Sequence, residues 1–408
     1  MRILNLGSCN IDYVYQVPHI VKAGETLSSK SLVRFPGGKG LNQSIAAARA
    51  GASVYHGGCC GADGGFLLDV MRESGVNTDF VNTLECRNGH AIIQVEDGGQ
   101  NSIFLFGGSN ERVTPEIIDR ILAGFSDGDV LMLQNEISNI LYAVEAAYKR
   151  GMKIVLNPSP FDETMKKIDI GMLSVIILNE IEGASFSGYS EPEKIMEYFK
   201  SQYPGLKVVL TLGSKGSICY DGRETVFCPA FRVDAVDTTA AGDTFTGYFV
   251  SEYFGGTELE TALRYASAAA ALSVGKNGAA SSIPFMDEVR AALPELKSSI
   301  GGSAEKQQDI FRKYIKDNIK NANIKELSEL LGYSRAYTSN WVRRSFGVTF
   351  SEAVQRERCT YAAKLLKETE LSIQEIINEC GYENESFFRK IFKNEFGKAP
   401  LEYRRFYN

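Results

Sequence analysis

The run Asp237-Thr238-Thr239-Ala240-Ala241-Gly242-Asp243 sets a carboxylate directly after three small residues. Phe245, Tyr248 and Phe249 follow at the spacing of a buried helix. Ala240, Ala241 and Gly242 would then be its N-terminal edge, with unpartnered N–H groups and the positive end of the helix dipole. Such an edge suits phosphate. Asp243 beside it suits a base that takes a hydroxyl proton while phosphate oxygens rest on the amides. A carboxylate that only caps the helix is the alternative. A second constellation is Phe35-Pro36-Gly37-Gly38-Lys39-Gly40-Leu41-Asn42-Gln43, ahead of the alanine-rich Ser44–Ala50. Its glycines permit close backbone approach to a ligand, and Asn42 offers a donor and an acceptor for paired hydroxyls. It is not a G-x-x-x-x-G-K-[ST] phosphate loop. A third is Asn179-Glu180-Ile181-Glu182, closing the apolar run Ser174–Leu178. Asn179 and Glu182 could hold Mg²⁺ through water, or simply cap a helix start.

These groups need a scaffold. Val130–Leu133, Lys153–Leu156, Ser174–Leu178 and Lys207–Leu210 read as buried strands, and Asn139–Lys149 and Pro192–Tyr203 as helices between them. That alternation predicts a mostly parallel sheet covered on both faces, with ligands outside the carboxyl ends of the strands. Ile11–Phe35 and Ala91–Phe106, the latter with the turn Asp97-Gly98-Gly99, read as antiparallel strands of a small second sheet, either a lid or an ordinary hairpin.

The character of the chain changes near residue 300. Pro294–Ala304, with Gly301-Gly302-Ser303, reads as a linker. Beyond it helical periodicity dominates. Ile324–Tyr333 is repeated, about fifty residues on, by Ile373–Tyr382, and each copy runs into an amphipathic helix closed by Phe-Gly. That is two helix-turn-helix units. Residues 305–408 hold 19 Lys+Arg against 15 Asp+Glu, a net of +4; the remainder holds 25 against 35, a net of −10. A basic module on an acidic body suits two partners, one a nucleic acid. No apolar run reaches the length of a membrane span, and the start Met1–Gly7 reads as a strand, not a signal peptide. Eight Cys without a C-x-x-C pair fit reduced thiols in the cytoplasm. Three His without H-E-x-x-H argue against a zinc enzyme.

Together the first motifs resemble the ribokinase (PfkB) family of carbohydrate kinases over roughly residues 1–295. The resemblance implies an α/β fold, a three-layer sandwich with a small β lid, in which Asp243 is the catalytic base and Ala240, Ala241 and Gly242 form the anion hole. It implies sugar contacts from Asn10, Asp12, Gly38, Lys39, Asn42 and Glu136. It assigns Asn179, Thr211, Gly213 and Ser267 to the nucleotide, Glu182 to Mg²⁺ with ATP, and Asp237, Thr239, Gly278 and Ser282 to an activating K⁺. Two lids commonly clasp into a homodimer in that family. Ser267 departs from the larger polar residue often found there.

Residues 305–408 resemble the AraC-type DNA-binding domain, through Ser372–Tyr382, Glu385–Lys393, Phe396-Gly397-Lys398-Ala399-Pro400 and Tyr403-Arg404. Phe350–Leu366 is the connecting helix. Arg335, Ser339 and Asn340 in the first unit, and Asn384, Glu385 and Arg389 in the second, would reach base edges. Arg343, Arg344, Lys390 and Lys393 would contact phosphate. Trp341, Phe346, Phe388 and Phe392 would be core. The first unit departs from the usual pattern at Thr338 and Asn340.

The expectation is therefore a kinase domain over 1–295, a linker over 296–304 and an all-α DNA-binding domain over 305–408. The function expected is ATP-dependent phosphorylation of a pentose-like sugar, ribose foremost, joined to sequence-specific binding of double-stranded DNA. The alternatives are a catalytically weak sugar or nucleotide sensor controlling a transcription factor, and a helical tail that serves assembly alone.

Overall fold

The structure is a computed structural model and describes residues 1–296, 304–331 and 335–407, without the side chains of 304–307, 336, 337, 340 and 344. Most of the expected linker, including Gly301-Gly302-Ser303, and the first Gly332-Tyr333 turn lie outside the described residues. The chain divides into two compact units, Met1–Ser299 and Ile300–Asn408.

The strands of the first unit are β1 (Ile3–Leu6), β2 (Asn10–Val17), β3 (Ser31–Gly37), β4 (Val54–Gly61), β5 (Asn77–Leu84), β6 (Gly89–Glu96), β7 (Asn101–Phe106), β8 (Val130–Gln134), β9 (Lys153–Asn157), β10 (Val175–Asn179), β11 (Lys207–Thr211), β12 (Ser217–Tyr220) and β13 (Thr225–Cys228). Nine of them form one sheet in the order β13-β12-β11-β10-β9-β8-β1-β4-β5. It is parallel from β11 to β5 and antiparallel only where β12 and β13 extend one edge. Successive side chains of a strand point to opposite faces, and here both faces are buried. Ile3, Val130, Met132, Val155, Ile177 and Val209 pack with Leu41, Ile45, Phe245, Tyr248 and Leu263 from helices on one side. Leu4, Leu131, Leu133, Ile154, Leu156 and Ile176 are equally buried between them. Burial of both faces explains the near-continuous apolar runs of the central strands.

The smaller sheet has the order β3-β2-β6-β7. The expected antiparallel hairpins are present, β2 with β3 and β6 with β7. The two hairpins are joined by a parallel pairing of β2 with β6, so the sheet is mixed rather than wholly antiparallel. The long passage through β4 and β5 leaves β6 free to enter in either direction. Gly99, at φ 80, closes the β6–β7 turn.

One close contact organises the ligand edge. In the helix Ala241–Phe254, a Cβ at Gly247 would lie 2.5 Å from Ala46 Cβ and 2.7 Å from the Gln43 carbonyl. The helices Lys39–Arg49 and Ala241–Phe254 therefore meet backbone to backbone. A Cβ at Gly40 would sit 2.3 Å from the Ser8 amide, so the start of the first helix also presses on the β1–β2 turn.

In the second unit the described residues form seven helices: Ala304–Asp317, Ile324–Leu331, Arg335–Phe346, Phe350–Glu368, Ile373–Glu379, Glu385–Phe396 and Pro400–Tyr407. Phe350–Glu368 connects the two helix pairs. Thr349 with Glu352 and Ser372 with Glu375 make reciprocal caps, and Gly397, at φ 72, ends the helix Glu385–Phe396. Phe388 and Phe392 are buried among Ile376, Ile377, Tyr382 and Tyr403. Trp341 and Phe346 pack edge to face with ring centres 5.8 Å apart, and Phe311 stacks on Phe346.

Candidate active site

The carboxyl ends of β8, β9, β10 and β11 carry Gln134, Asn157, Asn179 and Thr211, each closing an apolar run. Facing them are the N-terminal ends of two helices. Helix Lys39–Arg49 begins after Gly38, at φ 94, whose absent Cβ would crowd the Asn10 amide at 3.0 Å. It puts Lys39, Asn42 and Gln43 on one face by their i, i+3, i+4 spacing. Helix Ala241–Phe254 begins after Ala240, held in the left-handed region at φ 63, a strained backbone of the kind concentrated at functional sites.

Between them lies a cavity of about 210 Å³ lined by Lys39, Asn157, Asn179, Glu182, Thr211, Thr238, Ala240, Gly242, Asp243 and Thr246. Asp243 is gripped by two amides from the facing helix. Asn42 Nδ2 donates to Oδ2 at 3.0 Å and Gln43 Nε2 to Oδ1 at 2.9 Å. The Oδ1 of Asn42 is a buried acceptor without a protein partner. At the helix edge the Ala241 N–H is spent on the Thr238 carbonyl at 3.3 Å. Gly242 is exposed and has open space where a Cβ would be. The cradle is thus open at Gly242 rather than along all three residues.

Asn179 and Glu182 cap each other: Glu182 N–H donates to Asn179 Oδ1 at 2.9 Å and Asn179 N–H to Glu182 Oε2 at 3.0 Å. The capping reading is what the structure shows, and this helix start also lines the cavity. Among the described residues no three His, Cys, Asp or Glu converge as a metal cluster. A divalent ion here would draw most ligands from phosphate and water, as Mg²⁺ does. Asp237 ties two loops together, accepting from Thr239 N–H at 2.8 Å and Gly278 N–H at 3.0 Å. Burial pushes the Asp237 carboxyl up, but the Thr239 and Gly278 donors outweigh it and hold it below the usual range. Ser282 is buried in the next turn, donating to the Ala279 carbonyl at 2.8 Å. Gly213 begins a short turn after β11. Ser267 is buried in the helix Leu259–Val274, 3.5 Å from Cys228 Sγ, and the structure does not bring it to the cavity.

Toward the small sheet, Glu136 accepts from Ser8 Oγ at 2.5 Å and from the Lys39 N–H at 2.9 Å, placing a carboxylate on the start of that helix. Asn10 is buried with its Oδ1 held by Asn110 Nδ2 at 2.7 Å. A Cβ at Gly37 would lie 2.0 Å from the Asp12 carboxylate. Gln43, Gln134, Asn157, Ser8 and Asn110 are absent from the sequence-derived set. The signal for Gln134 and Asn157 was the one that marked Asn179, a polar residue closing a buried strand. Gln43 sits one turn beyond Lys39, on Asn42's side of the helix.

On the second unit, Arg335, Ser339, Arg343, Lys390 and Lys393 are exposed. Asn340 and Arg344 lie on the same helix as Arg335, with side chains outside the described residues. Asn384 caps the helix Glu385–Phe396, its Oδ1 accepting from Phe387 N–H at 2.9 Å. Arg389 is paired with Glu385 at 2.6 Å. Thr338 is fully buried.

Lys39, Glu136 and Asp12 depart from their ordinary titration. Asp243, with Glu136 and Glu182, holds the Lys39 ammonium above its ordinary value against the opposing effect of burial. Burial pushes Glu136 up, despite Lys39 and Ser8. Burial, reinforced by Glu136 and Asp243, pushes Asp12 up to about 7. The unfolded carboxyl ionises near 3.8. Between those values the folded chain binds the extra proton, so Asp12 stabilises less as pH rises through that window. Melting of the ligand-free protein should fall as pH rises from about 5 to about 7.5, and Asp12→Asn should flatten that slope. An unchanged slope in the variant would contradict the shift.

The profile of the pfkB family carbohydrate kinases matches residues 2–286, and that of a helix-turn-helix domain matches 327–405. The chain is 36% identical to the ribokinase of Haemophilus influenzae over 294 residues, 69% of this chain and 95% of that protein. It is 30% identical to a deoxyribokinase of Salmonella typhi over 72% of this chain and 99% of that one. The ribokinase of Arabidopsis thaliana, solved with ribose and ATP, superposes with a TM-score of 0.63 at 30% identity, covering 72% of this chain and 98% of that one. An open helix edge, a gripped carboxylate and a parallel-sheet rim thus coincide with the matched family, and the chain belongs to the PfkB carbohydrate kinases, as an ATP-dependent carbohydrate kinase fused to an AraC-type helix-turn-helix domain.

Proposed function

We propose that this chain transfers the γ-phosphoryl group of ATP to the primary hydroxyl of a pentose-like sugar, ribose foremost, and that its second unit binds double-stranded DNA. The observation that carries the kinase reading is the meeting of Asp243, Lys39 and the open Gly242 edge in one cavity. Asp12, Asn10, Gly38 and Glu136 stand toward the small sheet and would hold the sugar hydroxyls. The unpartnered Asn42 Oδ1 is a further acceptor for one of them. Asp243 takes the proton of the primary hydroxyl, and that oxygen bonds to the γ-phosphorus. The bond from phosphorus to the bridging oxygen breaks, and ADP leaves with its electron pair. The first-turn amides and Lys39 stabilise the charge that develops. Asn179, Thr211 and Gly213 would border the nucleotide. Mg²⁺, held through water by Glu182, would neutralise phosphate charge. Asp237, Thr239, Gly278 and Ser282 would offer oxygens to K⁺. An intact, doubly gripped Asp243 favours catalysis over a sensor that only binds.

The edge strands of the small sheet expose Leu32 and Val33 on one side and Ile103, Phe104, Leu105 and Phe106 on the other. Apolar edges of this kind call for cover, and homodimerisation through this sheet would supply it. Phe104→Glu should shift sedimentation of the protein toward the monomer; an unchanged monomeric or dimeric boundary in both proteins would count against that interface.

On DNA, Arg335, Ser339 and Arg389 would face base edges, with Asn340, Asn384 through its Nδ2, and Glu385 beside them. Arg343, Arg344, Lys390 and Lys393 would meet phosphate. Binding of full-length protein to operator DNA should weaken with salt, and Lys393→Ala should lower the log–log slope by about 1. A salt-independent affinity would refute phosphate contact. Coupling requires that sugar and nucleotide shift the same affinity, since a ligand moves an equilibrium only by its differential binding. The sugar panel, with ribose, deoxyribose, other pentoses and nucleosides, Mg-ATP and K⁺, should show ADP release with one class. Asp243→Asn should cut kcat by roughly 10²–10⁴-fold. Full turnover in that variant would remove Asp243 as the base.

A further inference from the structure

We infer that Gln43 is a positioning residue, which a buried chain of side-chain amides locks so that it always presents an N–H to Asp243. A primary amide can in principle be turned over, exchanging its oxygen and nitrogen. Here the orientations are passed along the chain from groups that can only accept, a backbone carbonyl at either end and the Asp243 carboxylate between.

The chain is anchored at one end on β10. Asn157 Nδ2 donates to the Ile177 carbonyl at 2.9 Å, so Asn157 Oδ1 must face Gln43. Gln43 Nε2 then donates both to Asn157 Oδ1 at 3.0 Å and to Asp243 Oδ1 at 2.9 Å. Gln43 Oε1 accepts from Gln134 Nε2 at 2.7 Å, and the same Nε2 donates to Asn5 Oδ1 at 3.0 Å. Asn5 closes the other end. Its Nδ2 donates to the Gly40 carbonyl at 2.7 Å and to Ser44 Oγ at 2.9 Å. Two backbone carbonyls, on β10 and in the glycine loop, therefore set the sense of four side chains between them.

Turning Gln43 over would set its oxygen against two acceptors and its amino group against the Gln134 donor. Asn5, Gln43 and Gln134 are essentially inaccessible to water, at 0%, 0% and 1% exposure. No solvent is available to repair such a mismatch, and a buried polar mismatch is costly. Asn42 differs in having a vacant buried oxygen suited to a ligand, whereas every polar atom of Gln43 is used within the protein. Nor does Gln43 line the cavity. Its function is exerted through Asp243: it fixes the plane of the carboxylate and keeps Oδ1 an acceptor, while Asn42 holds Oδ2.

The inference rests on the reading of Asp243 as the base. Gln43→Met keeps length and volume and removes the amide. Its kcat should fall 10- to 100-fold, with KM for sugar and for ATP within three-fold of the parent. In an Asp243→Ala background, measured by transfer of labelled γ-phosphate, the same substitution should change the residual rate less than two-fold, because there is no carboxylate left to position. An unchanged kcat in Gln43→Met, or losses that multiply in the double variant, overturns the positioning role. Full turnover in Asp243→Ala overturns instead the base assignment beneath it. Should Gln43→Met melt out, Gln134→Met, which removes the donor to Gln43 Oε1 and to Asn5 Oδ1 but leaves both Gln43 Nε2 bonds, should lose three- to ten-fold in kcat with KM unchanged; no loss there overturns the inference as well.

Discussion

Everything at the ligand edge depends on how closely the helix Lys39–Arg49 lies against two other backbones. Gly247 lets it touch the helix Ala241–Phe254, and Gly40 lets its first turn press on the β1–β2 turn beside Ser8. Interiors are close-packed, and an added methyl group at such a point has nowhere to go. These two approaches bring Asn42 and Gln43 within hydrogen-bond reach of Asp243, about two hundred positions away in the chain. They also set the Lys39 amide against Glu136. Two packing contacts thus align the proposed sugar loop, the proposed base and the proposed phosphate edge. The anchoring is built from rigid elements rather than loops, which is what a site needing tight geometry requires.

The charges at that edge are less settled than the packing. Glu136, Glu182 and Asp243 act on a single Lys39, and Asp12 in turn feels Glu136 and Asp243. Taking carboxylates out of water favours their neutral forms, and like charges nearby add to the effect. The upward shifts of Asp12 and Glu136 are the result. A fold selected for stability alone would not gather these groups, and active sites are where such clusters are tolerated. A ligand rich in hydroxyl donors relieves the arrangement, because each donor stabilises an ionised oxygen.

Much of this was legible in the sequence, for identifiable reasons. Central strands buried on both faces write themselves as unbroken apolar runs, so β8 to β11 were located to within about a residue of their ends. The Asp237–Asp243 run and the glycine loop announced themselves by residue type. The directions of strand pairing did not. β2 and β6 each alternate as a strand should, and nothing in that alternation says whether they run parallel, because the choice lies in the path of the intervening chain. The amide chain was also invisible. Gln134, Asn157 and Asn5 are ordinary polar residues at strand positions, and only the three-dimensional register brings them to one line. Ser267 shows the converse: a helix position aligned with a nucleotide contact faces the core against Cys228. Asn384, expected from the sequence to reach a base edge, caps the helix Glu385–Phe396 in the structure.

The second unit shows how charge divides labour along the chain. The kinase portion, up to residue 304, has a net of −10 and the rest a net of +4. Phosphate backbones attract the second and repel the first, within a screening length of about 8 Å at physiological salt. The proposed affinity for DNA would therefore come from the small unit, and from few cations. Arg389 is engaged by Glu385, so part of even that small charge is spent inside the protein. Two helix pairs within one chain give a modest electrostatic grip, and a second copy of the chain would double it without any new contact type. The proposed assembly of the acidic body, rather than stronger contacts in the basic tail, would then be the route by which this architecture gains a hold on DNA.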